Sequence, residues 1–132
     1  MGEEPPYIFA IDSSTTILKL YEVYIKYNQA LKKVHFVTAG KAENAFEVLE
    51  KKNVRVIILD WNLPGMNGLQ FLEKLRREKK WKHIRVIMAS TINDKKRILK
   101  AISLGANDYM LKPTLKCIFN QKIAHNLLKA GC

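Results

Sequence analysis

Four short apolar runs in this chain each end in a side chain able to handle phosphate or a metal ion. Tyr7-Ile8-Phe9-Ala10-Ile11 ends at Asp12, Val54 to Leu59 at Asp60, Val86-Ile87-Met88-Ala89 at Ser90, and Tyr109-Met110-Leu111 at Lys112. Asp60 stands out because Pro64, Gly65 and Gly68 follow it with turn chemistry. A carboxylate at the tip of a buried strand is placed like a nucleophile or a metal ligand. Alone, such an aspartate is more often a helix cap, and a lysine before proline is more often solvated; the joint placement is what points to chemistry. Two neighbouring carboxylates, Asp12 and Asp60, repel unless a cation lies between them. Hard oxygen donors with no His or Cys nearby suit Mg²⁺ better than zinc. With Lys112 as a point charge and Ser90, or its neighbour Thr91, binding a phosphate oxygen, the set reads as a phosphoryl-transfer site in which Asp60 attacks.

These side chains converge only if the runs are neighbouring parallel strands, and the intervening sequence supplies the crossovers. Ile17, Leu18, Tyr21, Ile25 and Ala30 recur near helical spacing, with Ser14, Thr15 or Thr16 as the cap. His35-Phe36-Val37-Thr38 makes a short second strand, and Ala42, Ala45, Phe46 and Leu49 line a second helix. A third begins near Gly68 and turns Leu69, Phe71, Leu72 and Leu75 inward. Asn93 or Asp94 caps a fourth, with Ile98, Ala101, Ile102 and Leu104 as its buried stripe and Gly105 as its stop. A fifth follows Pro113-Thr114, with Ile118, Phe119, Ile123, Leu127 and Leu128 on one side. Alternating strands and helices imply an α/β fold whose five-stranded parallel sheet is covered on both faces. Ligands in such sheets bind beyond the carboxyl ends of the strands, where the winding reverses.

At 132 residues the chain has room for one domain with a core, and its 48% hydrophobic content argues against long disordered stretches. No apolar stretch approaches the ~20 residues of a membrane helix, and the start Met1-Gly2-Glu3-Glu4-Pro5-Pro6 lacks signal-peptide order, so a cytoplasmic protein without a membrane partner is expected. Cys117 and Cys132 have no metal-ligand spacing; Cys117 is assigned to helix packing and Cys132 to an exposed end. The net charge of +11 is concentrated in Lys74, Arg76, Arg77, Lys79, Lys80, Lys82 and Arg85, with Trp81 and His83 among them. Such a run is first of all a solvated helical face, and nothing beside it resembles a nucleic-acid-binding module, so direct nucleic-acid binding is not expected.

The stretches AIDSSTTI, IILDWNLPGMNGLQFL, VIMASTIN and GANDYMLKP, in this order, give the chain a close resemblance to the receiver domain of bacterial two-component response regulators, and DWNLPGMNGL is similar to the stand-alone chemotaxis regulators. The resemblance covers residues 6–130 and implies a flavodoxin-like, three-layer α/β/α fold with five helices and strand order 2-1-3-4-5. It implies that Asp60 accepts a phosphoryl group from a histidine kinase or phosphotransfer protein. Mg²⁺ would be held by Asp12, Asp60 and the backbone carbonyl of Asn62. Ser90 would take the switch position, Lys112 would bind phosphate, and Tyr109 would be the aromatic that turns inward when Ser90 is drawn to the phosphate. Lys112-Pro113 would be a cis peptide. The fourth helix, fifth strand and fifth helix would then present Lys95, Lys96, Arg97, Lys100 and Lys116 to an acidic downstream output protein or domain, from a monomer or weak homodimer.

One position departs from the family pattern: Ser13 stands where the family carries a second acid after the first strand. A neutral hydroxyl in place of a carboxylate weakens Mg²⁺ binding, by ~10–100-fold if it costs only as much as a lost outer-shell group. The reading left beside phosphorylation is a receiver-like interaction module that works without it. Turnover chemistry is disfavoured. Phosphatases with a nucleophilic Asp after a strand need a second Asp two residues on, and position 62 is Asn.

Overall fold

The computed structural model describes residues 5–130; the expectations for Met1-Gly2-Glu3-Glu4 and for Cys132 lie outside the described residues. Strands β1 (Tyr7–Ile11), β2 (His35–Ala39), β3 (Val54–Asp60), β4 (Arg85–Ser90) and β5 (Asp108–Leu111) form one parallel sheet in the order β2-β1-β3-β4-β5. Helices α1 (Thr15–Lys26), α2 (Ala45–Lys51), α3 (Gly68–Arg77), α4 (Lys95–Ser103) and α5 (Lys116–Ala130) connect and follow them. The flavodoxin-like architecture expected from the sequence is the one found.

The central strands are apolar throughout because both faces are covered. Phe9, Ile11, Ile57, Leu59, Val86 and Met88 pack with Leu49 of α2, Phe71, Leu72 and Leu75 of α3 and Ala101 of α4. The alternate residues Ile8, Ala10, Val56, Ile58, Ile87 and Ala89 pack with Tyr21 and Ile25 of α1 and Phe119 and Ile123 of α5. Each such large side chain removed from water contributes ~1.5–3 kcal/mol. These two clusters fix the register, since a one-residue slip would turn every strand side chain to the wrong face.

The helices match the sequence reading at their starts better than along their faces. Ser14 caps α1 by accepting from Ile17 N, and Asp94 caps α4 by accepting from Lys96 N. The first helix stops at Lys26 instead of reaching Ala30, because Asn28 caps a separate 3-10 turn over Gln29–Leu31. On α4 only Ala101 is buried, and Ile102 is 44% exposed. On α5 Ile118 and Leu128 are exposed while Phe119 and Ile123 carry the packing, and Cys117 is exposed, not packed. α4 packs on the edge strand β5, which offers little surface to cover it, whereas α5 packs on β3, β4 and α1 through its buried side alone.

Two members of the basic run are structural. Arg76 donates through Nε to the Gly105 carbonyl at 3.0 Å and through Nη2 to Asn107 Oδ1 at 2.9 Å. The same Asn107 oxygen accepts from Val86 N, so Arg76 anchors the entry to β4. Arg85 donates to Asn126 Oδ1 at 3.2 Å, and Asn126 donates in turn to Asp108 Oδ2 at 3.1 Å. Asp108 Oδ1 accepts from Lys122 Nζ at 2.7 Å and from Tyr109 N at 2.8 Å. Burial pushes the Asp108 carboxyl up, but the Lys122 ammonium, the Tyr109 N–H and the Asn126 amide more than offset this and hold it below its ordinary 3.8. A depressed carboxyl contributes stability that is complete above the unfolded value and is lost as pH falls through the lower folded value. Asp108→Asn therefore lowers the unfolding free energy by ~1–2 kcal/mol at neutral pH. Urea unfolding across pH checks this: the gap to the parent closes in acid below 3.8, and a gap constant into acid contradicts it.

Candidate functional site

One row of Cα partners crosses four strands, with Ile11 beside Leu59, Leu59 beside Met88 and Met88 beside Tyr109. Asp12 and Asp60 stand one residue beyond this row, Ser90 two and Lys112 three, so the register alone carries all four to the same rim. The strand order reverses between β1 and β3, and these two strands supply the two carboxylates.

Local contacts fix each side chain. Asp12 N donates to the Ala39 carbonyl at 3.0 Å, and Asp12 Oδ1 accepts from Ser14 N at 2.8 Å. Asp60 is followed by Trp61, whose N–H reaches Ala89 O at 3.0 Å and whose carbonyl accepts from Gly68 N at 3.0 Å. Gly68 must be glycine, since a Cβ there would lie 2.3 Å from the Asp60 carbonyl oxygen. The Asn67–Gln70 capping box then starts α3 directly behind the acid. Lys112 N donates to Ser90 O at 2.8 Å. The loop after Lys112 is held by Thr114 Oγ1 donating to Leu111 O at 2.6 Å and Tyr24 OH donating to Thr114 O at 2.8 Å. The Lys112-Pro113 peptide is cis.

At the centre, Lys112 Nζ donates to Asp12 Oδ2 and to Asp60 Oδ1, each at 2.9 Å. The three side chains are 10%, 2% and 4% exposed. Burial pushes the Asp12 carboxyl up and the Asp60 charge adds to this, outweighing Lys112, whose single charge is shared between two acids. Burial also works against the Lys112 ammonium, yet its bonds to Asp60 and Asp12 hold it above the usual lysine range and fully protonated. Asn62 N donates to Asp60 Oδ1 at 3.2 Å, so both contacts fall on one oxygen and Oδ2 lies outside them.

Ser90 is buried, and its Oγ accepts from Ile92 N at 3.1 Å. Tyr109 OH donates to Ile92 O at 2.6 Å. The two residues singled out as a switch thus hold the same loop residue from opposite sides. Tyr109 also lines a groove of about 430 Å³ with Ile98 and Ile102 of α4, Leu111 of β5 and Lys122 of α5. Ser13 and Asn62 are both exposed at the rim. Among the described residues no group of three His, Cys, Asp or Glu side chains gathers to hold a metal ion.

Sequence reasoning missed three participants. The Arg97 guanidinium of α4 lies 4.7 Å from the Trp61 ring, beside the residue that follows Asp60, and not on the outer lysine face. Glu43 accepts from Met66 N at 3.1 Å and steadies the turn at Gly65, where φ is 71°. Tyr24 holds the Lys112 loop, as described. Their sequence separations leave no periodic signal; only the adjacency of Trp61 to Asp60 could have drawn attention to its surroundings.

The sequence model of the response regulator receiver domain matches residues 8–123 of this chain. A chemotaxis protein CheY homolog of Campylobacter jejuni is 30% identical over 120 residues, covering 88% of each chain. Chemotaxis protein CheY1 of Helicobacter pylori is 28% identical over 120 residues, covering 88% of this chain and 92% of its own. Among solved structures, the signal receiver domain of a putative Luxo repressor protein from Vibrio parahaemolyticus superposes with a TM-score of 0.86 at 24% identity, over 96% of this chain and 93% of that one.

Removing the shared cation leaves two buried carboxylates facing each other, and breaking a buried pair costs ~3–5 kcal/mol. Lys112→Met is expected to lower the unfolding free energy by ~3 kcal/mol at neutral pH, and adding Asp12→Asn to recover about half of it. Denaturant melts of the single and double variants measure both. A loss below ~1 kcal/mol, or no recovery, contradicts the shared bridge.

Proposed function

The chain belongs to the response regulator receiver domain family of two-component systems, and from that premise we propose that Asp60 is its phospho-acceptor, over a domain spanning residues 6–130. The observation that carries this is the Lys112 ammonium 2.9 Å from both Asp12 and Asp60, which sets a cation against one oxygen of the buried Asp60 and leaves the other uncommitted. That oxygen attacks phosphorus as the bond to the donor breaks, and a phosphohistidine of a sensor kinase or phosphotransfer protein leaves as imidazole. Lys112 follows the charge onto the transferred oxygens, and the buried Ser90 hydroxyl supplies a hydrogen bond to one of them.

The donors fit Mg²⁺. Asp12, Asp60 and the Asn62 carbonyl are hard oxygens, and Mg²⁺ commonly takes one or two carboxylates while keeping several waters. When bound, the ion would neutralise phosphoryl charge during transfer. Ser13 in place of an acid makes that binding weak.

Turning Ser90 toward a phosphoryl group gives up its bond from Ile92 N, and Tyr109 loses its fixed partner at Ile92 O when the loop follows. The face of α4, β5 and α5 changes shape, and the exposed Lys95, Lys96, Lys100 and Lys116 fit an acidic output partner. The part is one of signalling and not of turnover, carried out in the cytoplasm by a monomer or weak homodimer.

Incubation with Mg²⁺ and acetyl phosphate, read by mass spectrometry, is expected to add one phosphoryl group that Asp60→Asn abolishes. Ser13→Asp is expected to lower the Mg²⁺ needed for half-labelling by ~10-fold or more. Failure to label at saturating Mg²⁺, or labelling that persists in Asp60→Asn, overturns the reading and leaves the phosphate-independent module.

A further inference from the structure

Phosphoryl acceptance leaves the charge of +11 unexplained, and the fold shows where that charge lies. Because all strands are parallel, the segments that enter them share one rim and the segments that leave them share the other. The leaving segments, with the Asp60 tip, carry Asp12, Glu43, Asp60 and Asp94 against Lys41 and Lys112. Among the described residues the entering segments carry Lys32, Lys33, Lys52, Lys79, Lys80 and Lys82 against Glu78, and all six lysines are exposed; in the sequence, Glu3 and Glu4 precede β1. The molecule is therefore polarised end to end, with its basic end ~20 Å from Asp60 at the ~3.3 Å rise of β3.

The basic end is one continuous surface. The Tyr7 ring stacks on His35 at 4.7 Å, and the Lys52 ammonium lies 5.4 Å from the same ring. Lys80 bonds Glu50 at the end of α2 and lies 4.6 Å from the Trp81 ring. From the β2 entry to the β4 entry is ~14 Å at the spacing of neighbouring strands. The last turns of α1, α2, α3 and α5 add Lys26, Lys51, Lys74, Arg77 and Lys129 on both sides of the sheet, making a two-dimensional plate. Cations at helix carboxyl ends are explained by the helix dipole. That accounts for the helical members and for Lys52 at the α2 cap, and not for Lys32, Lys33, Lys79, Lys80 and Lys82.

We propose that this plate docks the protein on an anionic lipid surface, with the Asp60 rim facing away from it. Three observations favour lipid over nucleic acid. The loop cations are all lysine, which suits diffuse attraction to headgroups and lacks the flat fork that reads bases. The rings at the plate are already engaged: Tyr7 carries His35 and Lys52, and Trp81 is buried, so neither offers a stacking platform. Beside the plate, Val23 and Tyr27 project from one face at the end of α1, 49% and 66% exposed, as an apolar and an interfacial side chain next to Lys26. The expectation of no membrane partner rested on the lack of a span or leader, and a peripheral contact needs neither.

A lysine at an anionic surface contributes ~1 kcal/mol, about fivefold in affinity. The test is flotation of the full chain with phosphatidylcholine vesicles with and without phosphatidylglycerol, at two salt concentrations. Binding is expected only with phosphatidylglycerol and is expected to weaken with salt. Lys33→Glu with Lys82→Glu is expected to weaken it at least ~20-fold, and Lys96→Glu with Lys100→Glu, the same change of net charge on α4, by less than ~3-fold. Three results overturn the proposal: no binding to phosphatidylglycerol at low salt, equal loss in the two double variants, or salt-sensitive binding to a DNA or RNA duplex without binding to vesicles. The test does not pass through Asp60, so it stands whether or not that residue is phosphorylated.

Discussion

One ammonium group shared by two buried carboxylates is the constraint around which the rim is organised. Asp12 and Asp60 are both buried, and Lys112 is the cation that bonds to each of them. The lysine arrives from a different strand, so the electrostatic balance holds only while β1, β3 and β5 keep their register. Any displacement of Lys112 is felt at both acids.

The rest of the fold divides into a rigid part that sets this register and a looser part able to respond. The two packed faces of the central strands are rigid, and Gly68 closes α3 tightly against the Asp60 backbone. The responsive part is the β4–α4 loop with α4, a helix with one buried residue that is tied in by Asp94 at its cap, by Ile92 between Ser90 and Tyr109, and by Arg97 on Trp61. Few buried contacts make such an element inexpensive to move, which is where a switch should sit.

The strand tips were legible in the sequence because chemistry and burial reinforce each other there: one apolar run that stops at a polar residue has ordinary explanations, but four that stop at two acids, a serine and a lysine suited to one reaction do not. All four named tip residues meet at one rim. The helix faces were less legible. Periodicity shows which side of α4 or α5 is apolar but not how much of that side a neighbour covers, so Ile102, Ile118 and Leu128 stay exposed. Residues acting through long-range hydrogen bonds were not legible at all. Arg76 sat in a charge run that looked solvated, although its guanidinium ties the end of α3 to the turn before β5.

The shared bridge lies at the acidic rim of a polarised molecule whose exposed lysines gather at the other rim. It is most directly tested by NMR observation of the lysine side-chain ammonium groups at neutral pH. If Lys112 is held between both acids, one exchange-protected ammonium signal disappears in Lys112→Arg and shifts in Asp12→Asn and in Asp60→Asn alike. A Lys112 ammonium in fast exchange with water, or one that responds to only one of the two aspartates, would contradict it.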